Sequence, residues 1–392
     1  MKSEQEKNKK GYGKYILVSS ITAIITLAVA FVAVFFWVSN DTKLFKLKQM
    51  DLFINSFYGE IDEQKIEDGI IRGYISGLED KYAGYYTADE NKDRSDRLEG
   101  QAVGIGIIVV EHPDNHTIYV KHVYDNCPAA KAGIKAGDEI IAIDGVMVTE
   151  RGYENSVNDI LREIGSTVEL TLLRDGQELS VSARYSSFIA QSVFGKMVGD
   201  FGLIEITSFN TESIAQFKNA INSLKTNGAK GLIFDLRGNG GGTVESVTEM
   251  LDYLMPEGVL MTVKYGDGKV ETYAESDSEE IELPMAVLVD GATASASELF
   301  SATVRDFNKG VLIGSTTYGK GVMQSTFGFT DGSAAVFTIA EFFPHSGESF
   351  NEVGLTPDIE VKLNEEQKTY FHLLSDDEDP VKQAAVEWLK KQ

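Results

Sequence analysis

Ser295 and Lys320 are the side chains of this 392-residue sequence best placed to break a bond. Residues 285–289, Met-Ala-Val-Leu-Val, read as a buried strand, a turn of small residues follows, and 298–306 carries apolar residues at helical spacing. A serine at such a strand-to-helix junction is exposed. The backbone N–H groups that open the helix point at whatever its hydroxyl attacks, where they can hold an oxyanion. The hydroxyl needs a base, and His112, His116, His122, His345 and His372 all lie outside this stretch. Lys320 lies between Gly319 and Gly321, so no neighbouring bulk blocks its approach, and burial among apolar groups would push its pKa toward neutrality. Singly, a serine-rich turn more often caps a helix and Gly-Lys-Gly more often belongs to a solvated loop. Together they point to a serine nucleophile with a lysine base.

The elements that must position this pair alternate between strands and helices from residue 193 onward. Residues 201–206 read as a strand, 211–224 as a helix, and 231–236 as a continuous apolar strand of the two-faced, buried kind. That strand runs into Arg237-Gly-Asn-Gly-Gly-Gly242 and a helix over 244–255. A glycine-rich turn before a helix can bind phosphate, but this one lacks the Lys-Ser/Thr of a P-loop and the spacing of a dinucleotide site. A loop supporting an oxyanion fits better. Past Lys320, 334–340 is a further strand and 380–392 an amphipathic helix, with the acidic run 375–379 read as a solvated cap before it.

Thr293-Ala-Ser-Ala-Ser-Glu298, Tyr318-Gly-Lys-Gly-Val-Met-Gln324 and Asp235-Leu-Arg-Gly-Asn-Gly-Gly-Gly242 together resemble the carboxy-terminal processing (tail-specific) serine proteases, in the family's order and over roughly residue 45 to the end. Gly354-Leu-Thr-Pro-Asp358 resembles the family's closing segment. The resemblance implies an α/β multi-domain chain with a crotonase-like ββα core. It also implies a Ser295 nucleophile, a Lys320 base and a Gln324 that orients the lysine. Ala296 and Gly241 would supply the oxyanion N–H groups, and Gly240, Glu298, Asp306 and Thr317 would support the site. Asp290 departs from the family, which more often has Asn there; its carboxylate either shifts the local electrostatics or caps the turn.

Residues 101–185 form a compact β-rich stretch punctuated by glycines at turns, with a helix over 155–164. Pro128-Ala-Ala-Lys-Ala-Gly-Ile-Lys-Ala-Gly-Asp-Glu-Ile140 resembles the signature segment of a PDZ domain. Such a module takes an extended peptide as an added strand and holds its carboxylate on backbone N–H groups. Gly104, Ile105 and Gly106 suit the carboxylate loop, the glycines because the ligand backbone must come close. Arg162, late in the groove-forming helix, resembles a position that links peptide binding to activation in the family.

The remaining chain is bounded by charge and hydropathy. Residues 1–14 are basic on balance, and 15–38 run without a charge, long enough as a helix to cross the ~30 Å core of a bilayer. The basic flank belongs in the cytoplasm, so a single-pass, uncleaved cell-membrane anchor with an extracytoplasmic catalytic part is expected. Net charge is −24, which argues against nucleic acid as a partner. Cys127 is the one cysteine, so an intramolecular disulfide is impossible and packing is its default role. Residues 41–100 show apolar residues at threes and fours, as in helices that pack or pair; the resemblance makes a homodimer the expectation. No metal or organic cofactor is implied, because no His, Cys or carboxylate set has ligand spacing.

The expected division is a tail (1–14), an anchor (15–38), a helical region (41–100), a PDZ domain (101–185), a serine protease core (186–365) and a C-terminal helical segment (366–392). Its expected partners are C-terminal tails of proteins or peptides. Two rivals stand beside this endopeptidase: a non-catalytic PDZ scaffold on a relic core, and an acyl-CoA enzyme on the same crotonase-like core. Export and the peptide-binding domain weigh against the latter.

Overall fold

A computed structural model describes residues 19–32, 34, 42–160, 162–364, 367 and 370–392. The chain divides into two compact units, residues 1–67 and 68–392. In the first, residues 19–32 are helical with every side chain exposed. Among the described residues no helix is long and apolar enough to cross a membrane. The tail expected over 1–14, and residues 15–18, 33 and 35–38 of the expected anchor, lie outside the described residues. Helix α1 (Thr42–Ile54) follows, and its apolar residues do not gather on one face, unlike the amphipathic helix the spacing predicts. Leu44, Phe45, Met50, Leu52 and Phe53 are exposed.

Helix α2 (Glu63–Ser76) has its C-terminal part in the second unit, where Ile75 packs against Tyr85 and Ala335. The region expected to be wholly helical then contributes a strand, β1 (Gly84–Tyr86), which pairs with Ala334–Val336. Helix α3 (Ala88–Glu99) starts at Thr87, whose hydroxyl accepts the Glu90 N–H while the Glu90 carboxylate accepts the Thr87 N–H.

The β-rich stretch is an insertion tied at its base. Strands β2 (Gln101–Gly104) and β9 (Ser186–Ile189) pair with each other as the chain leaves and rejoins the core. Between them lie β3 (Ile107–Glu111), β4 (Ile118–Val123), β5 (Glu139–Ile143), β6 (Val146–Met147), β7 (Thr167–Arg174) and β8 (Gln177–Arg184), in the order β3-β4-β5-β7-β8 with β6 on β5. β3 is an edge strand, which leaves its outer side open to an added strand. Helix α4 (Tyr153–Ile160) packs Tyr153 and Val157 into the core that also takes Ile107 and Val109.

In the main sheet, β10 (Val193–Val198) and β11 (Phe201–Ile206) form an antiparallel hairpin. From β11 the sheet continues in parallel through β12 (Leu232–Asp235), β15 (Met285–Val289), β16 (Gly310–Gly314) and β19 (Ile359–Glu360). Every residue of β12 and β15 is buried, as continuous apolar strands require when both sheet faces are covered. One face carries α5 (Thr211–Thr226), α6 (Val244–Leu254) and α7 (Ala296–Asp306), with Phe234 and Phe300 meeting edge-on at 5.1 Å. The other carries α8 (Pro380–Leu389), whose Val381, Ala385 and Leu389 lie against Ile233, Ala286 and Leu288.

A second sheet in the order β1-β18-β13-β14 combines β1 with β18 (Ala334–Phe343), β13 (Gly258–Tyr265) and β14 (Val270–Ser276), and β17 (Val322–Gly328) pairs along β18.

Candidate active site

Ser295 is the N-cap residue of α7, with φ 58° and ψ −117°. A left-handed backbone costs a non-glycine residue about 1–3 kcal/mol, so its surroundings must over-determine it. They do. Asp290 accepts N–H groups from Gly238, Ala292 and Thr293, so its carboxylate caps the turn. The Thr293 hydroxyl donates to the Leu236 carbonyl at 3.0 Å, and the Ala294 N–H and Ser297 hydroxyl both donate to the Asn239 carbonyl. The serine turn is thus stitched to the glycine loop that ends β12. Gly241, at φ 104°, lies so close that a Cβ there would come within 3.0 Å of Ser295 Cβ.

Glu298 is fully buried and gathers both halves of the site. Its Oε2 accepts the Ser295 N–H at 2.9 Å and the Lys320 N–H at 2.8 Å. Its Oε1 accepts the Thr317 hydroxyl at 2.6 Å and the Gly319 N–H at 2.7 Å. Thr317 in turn accepts the Leu355 N–H. Residues 295 and 320 are therefore each one hydrogen bond from the same oxygen.

The lysine side chain is turned aside. Lys320 Nζ stands 4.6 Å from the centroid of the Tyr82 ring, and among the described residues it makes no hydrogen bond to Ser295 or Gln324. Burial lowers its pKa below the ordinary lysine value; Asp80 and Glu298 oppose this and Arg94 adds to it. Gln324 donates from Nε2 to the Val322 carbonyl and the Thr338 hydroxyl, and among the described residues its Oε1 accepts nothing from the lysine. Gln324 and Ser295 do share a groove of about 430 Å³, walled by Arg94 and Leu98 of α3 and by apolar Met261, Leu299 and Phe342.

The Ala296 N–H has no partner among the described residues and faces this groove from the first turn of α7. The Gly241 N–H is engaged: it donates to Asn239 Oδ1 at 2.8 Å, while Asn239 Nδ2 donates to the Ile206 carbonyl. Gly240 lies between them, and a Cβ there would meet nothing within 4 Å. Asp306 is at the opposite end of α7, about 15 Å along the helix, where it accepts the Ser346 N–H. It supports a loop there and stays away from Ser295.

In the β-rich insertion, the segment before edge strand β3 is held from beneath. The Ile105 carbonyl accepts the Ala129 N–H, and Ile105 itself is buried. Gly106 has φ 86°, and a Cβ there would fall 2.3 Å from Cys127 Cβ. The Cys127 thiol donates to the Gly106 carbonyl, so the lone cysteine packs the loop. Gly104 closes β2 opposite Ser186. Arg162 follows α4, which ends at Ile160 before the predicted boundary. It bonds the Asp159 and Thr167 carbonyls and pairs with Asp144, all within the insertion.

Asp80, Tyr82, Arg94 and Leu98 are site residues that the sequence reading passed over. They lie in the stretch read only for helical spacing, and nothing in their local pattern marks them. Asn239 stood inside a quoted motif, where its side chain's hold on Gly241 is a tertiary fact.

Residues 200–361 match the model of peptidase family S41, and 103–184 match that of a PDZ domain. The carboxy-terminal processing protease CtpA of Bacillus subtilis (strain 168) is 32% identical over 329 residues, covering 83% of this chain and 70% of that protein. A CtpA-like serine protease of Staphylococcus aureus (strain N315) is 29% identical over 378 residues, covering 92% of this chain and 75% of that one. A solved structure from Bacteroides fragilis assigned to the S41 proteases has a TM-score of 0.59 at 18% identity, over 80% of this chain and 87% of that one, a likeness of fold. The chain belongs to peptidase family S41, with a PDZ domain inserted in a mixed α/β fold. Within that family it is a serine protease of the carboxy-terminal processing group.

Proposed function

We propose that the chain cleaves protein substrates near their C-termini by a Ser295–Lys320 mechanism on a crotonase-like core, with the PDZ domain receiving the substrate tail. The observation that carries this reading is the single Glu298 oxygen that accepts both the Ser295 and Lys320 N–H groups. With both backbones fixed there, the mechanism calls for the lysine side chain to turn until Nζ meets the serine hydroxyl. Neutral Lys320 then takes the Ser295 proton as Oγ bonds to the peptide carbonyl carbon. The oxyanion rests on the free Ala296 N–H, joined by that of Gly241 once Asn239 releases it. Lys320 returns the proton to the departing amine as the C–N bond breaks. Water, deprotonated in its turn by Lys320, adds to the acyl carbon, and as the C–Oγ bond breaks Lys320 returns that proton to Ser295 Oγ. Gln324 serves as the residue that receives the lysine in this arrangement.

The open edge of β3 supports tail binding, with the Gly104–Gly106 segment as the carboxylate loop. The charge-free run over 15–38 after a basic start supports a membrane anchor with the catalytic part outside the cytoplasm. Exposed apolar side chains on α1 support pairing with a second copy.

Ser295→Ala and Lys320→Ala should each abolish cleavage of unfolded β-casein while keeping the wild-type melting temperature, and a fluorophosphonate label should appear on Ser295. Cleavage at the wild-type rate in Lys320→Ala would remove the mechanism.

A further inference from the structure

We propose that Tyr82, seated by Asp80, is a positioning residue for the base: an aromatic rest that holds the Lys320 ammonium away from Ser295 until the site is engaged. The inference rests on the reading of Lys320 as the base. The main chain of Lys320 is already docked on Glu298 beside that of Ser295, and only its side chain is diverted, to 4.6 Å from the Tyr82 ring centroid. That distance is within the reach of a cation–π contact.

The rest is built rather than incidental. Asp80 accepts the Tyr82 N–H at 2.9 Å with one oxygen and the Thr338 N–H at 2.8 Å with the other, which pins the turn after α2 onto β18. The Thr338 hydroxyl also accepts from Gln324, so one residue of β18 fixes both the rest and the glutamine. Tyr82 and Asp80 line a groove of about 1130 Å³, distinct from the Ser295 groove, and Val322 lines both. Lys320 lies two residues before Val322, the residue that lines both grooves.

The charge around the amine decides what the rest does. Asp80 and Tyr82 face it from the turn after α2, Arg94 from α3 and Glu298 from α7. Lys81 Nζ lies 4.9 Å from the same Tyr82 ring, and its interaction with the Tyr82 side chain, ahead of those with Tyr318 and Glu352, raises the Lys81 pKa above the ordinary lysine value. Burial, Arg94 and Lys81 disfavour a charge on Lys320, while Asp80, Glu298 and the ring face favour it. At equal burial a lysine on the ring is therefore more readily protonated than one off it, although burial still holds its pKa below the ordinary lysine value, and an ammonium cannot take the serine proton. Leaving the ring and losing the proton are coupled steps, and both lead to the active arrangement.

The test uses the full chain with Tyr82→Leu, Tyr82→Phe and Asp80→Asn. Reductive methylation of the Lys320 amine by formaldehyde and cyanoborohydride, followed across pH by peptide mass spectrometry, reports its protonation without reference to activity. β-Casein cleavage across pH reports the acid limb of kcat/KM. In Tyr82→Leu both midpoints should move to lower pH together, by about half to one unit. Asp80→Asn should move them the same way, and Tyr82→Phe, which keeps the ring, should leave them unmoved. Should Tyr82→Leu not fold, the other two variants decide the case. Methylation midpoints unmoved in both Tyr82→Leu and Asp80→Asn, or moved as far by Tyr82→Phe, would overturn the rest alone. A moved methylation midpoint beside a fixed cleavage limb would defeat Lys320 as the base, and the inference with it.

Discussion

Glu298 is the residue through which the main chains of Ser295 and Lys320 are registered against each other. A carboxylate with no exposure accepts four hydrogen bonds, three from backbone N–H groups and one from Thr317. An amide in its place keeps one accepting oxygen and turns an NH2 group toward N–H donors, leaving buried donors unmet. Glu298→Gln should therefore lose about 2–4 kcal/mol of stability in urea unfolding and at least a hundredfold in kcat; a change under 1 kcal/mol would show that the hub is dispensable. The base carries a separate demand. Burial lowers the Lys320 pKa from 10.5, so the amine is free below the pH at which an ordinary lysine is, and activity should climb as pH rises through that lowered value. A folded state that binds this proton less readily than the unfolded chain also gains stability as pH rises through the same window. A pH profile flat from 6 to 9 would count against the lysine. Ser295 and Glu298 stood out in the sequence because their motif sits where a strand turns into a helix, and Lys320 because its motif places it between two glycines in a loop before a strand. Tyr82 and Asp80 did not, since it is tertiary contacts such as the β1–β18 pairing and the Asp80–Thr338 hydrogen bond that carry residues so early in the chain to this site.

At the scale of elements, the end of β12 and the start of α8 are clamped by charge. Arg237 bonds Asp235 and Asp379, both oxygens of each within 3.2 Å, with Asp379 fully buried as the N-cap of α8. Arg237 opens the glycine loop, so the clamp sets the angle at which that loop leaves the sheet. The acidic run over 375–379 reads as a solvated cap because consecutive like charges give no hint of burial; Asp379 instead enters the core, and Asp376 pairs with Lys196 and Lys382. Removing one partner of a buried pair leaves the other charge uncompensated, so Asp379→Ala should cost about 3–5 kcal/mol, read as a lower melting temperature. A variant that melts like wild type would mean α8 is held by Val381, Ala385 and Leu389 alone. Strand and helix existence in the main sheet followed from apolar runs and periodicity, and the predicted 285–289 strand coincides with β15. Arg162 fell outside its helix because α4 stops at Ile160, and Gly165, at φ 89°, turns the chain toward β7.

For the molecule as a whole, the placement of the PDZ domain depends on its seat on the core, which is largely polar. Glu205 of β11 pairs with Lys121 and lies 3.3 Å from His122, both on β4, while the His122 ring stacks on Phe194 of β10 at 4.0 Å. No local pattern marks this contact, because each residue is an ordinary strand position and the folded-back insertion brings them together. Burial pushes the Glu205 carboxyl up, but the His122 hydrogen bond and the Lys121 charge outweigh it and bring the group down to about 2. A carboxylate depressed on folding stabilises the docked arrangement above its unfolded pKa, and that contribution is lost as pH falls toward 2. Glu205→Gln removes the charge at every pH. Hydrogen exchange at pH 7 should then quicken in β4 and β11 while the PDZ core strands β5 and β7 keep their protection, because the domain loosens from its seat without unfolding. In wild type the same pattern should appear only as the medium is taken below about pH 4. Equal exchange in variant and wild type at neutral pH would mean that the β2–β9 ribbon, and not the Glu205 contact, holds the domain in place.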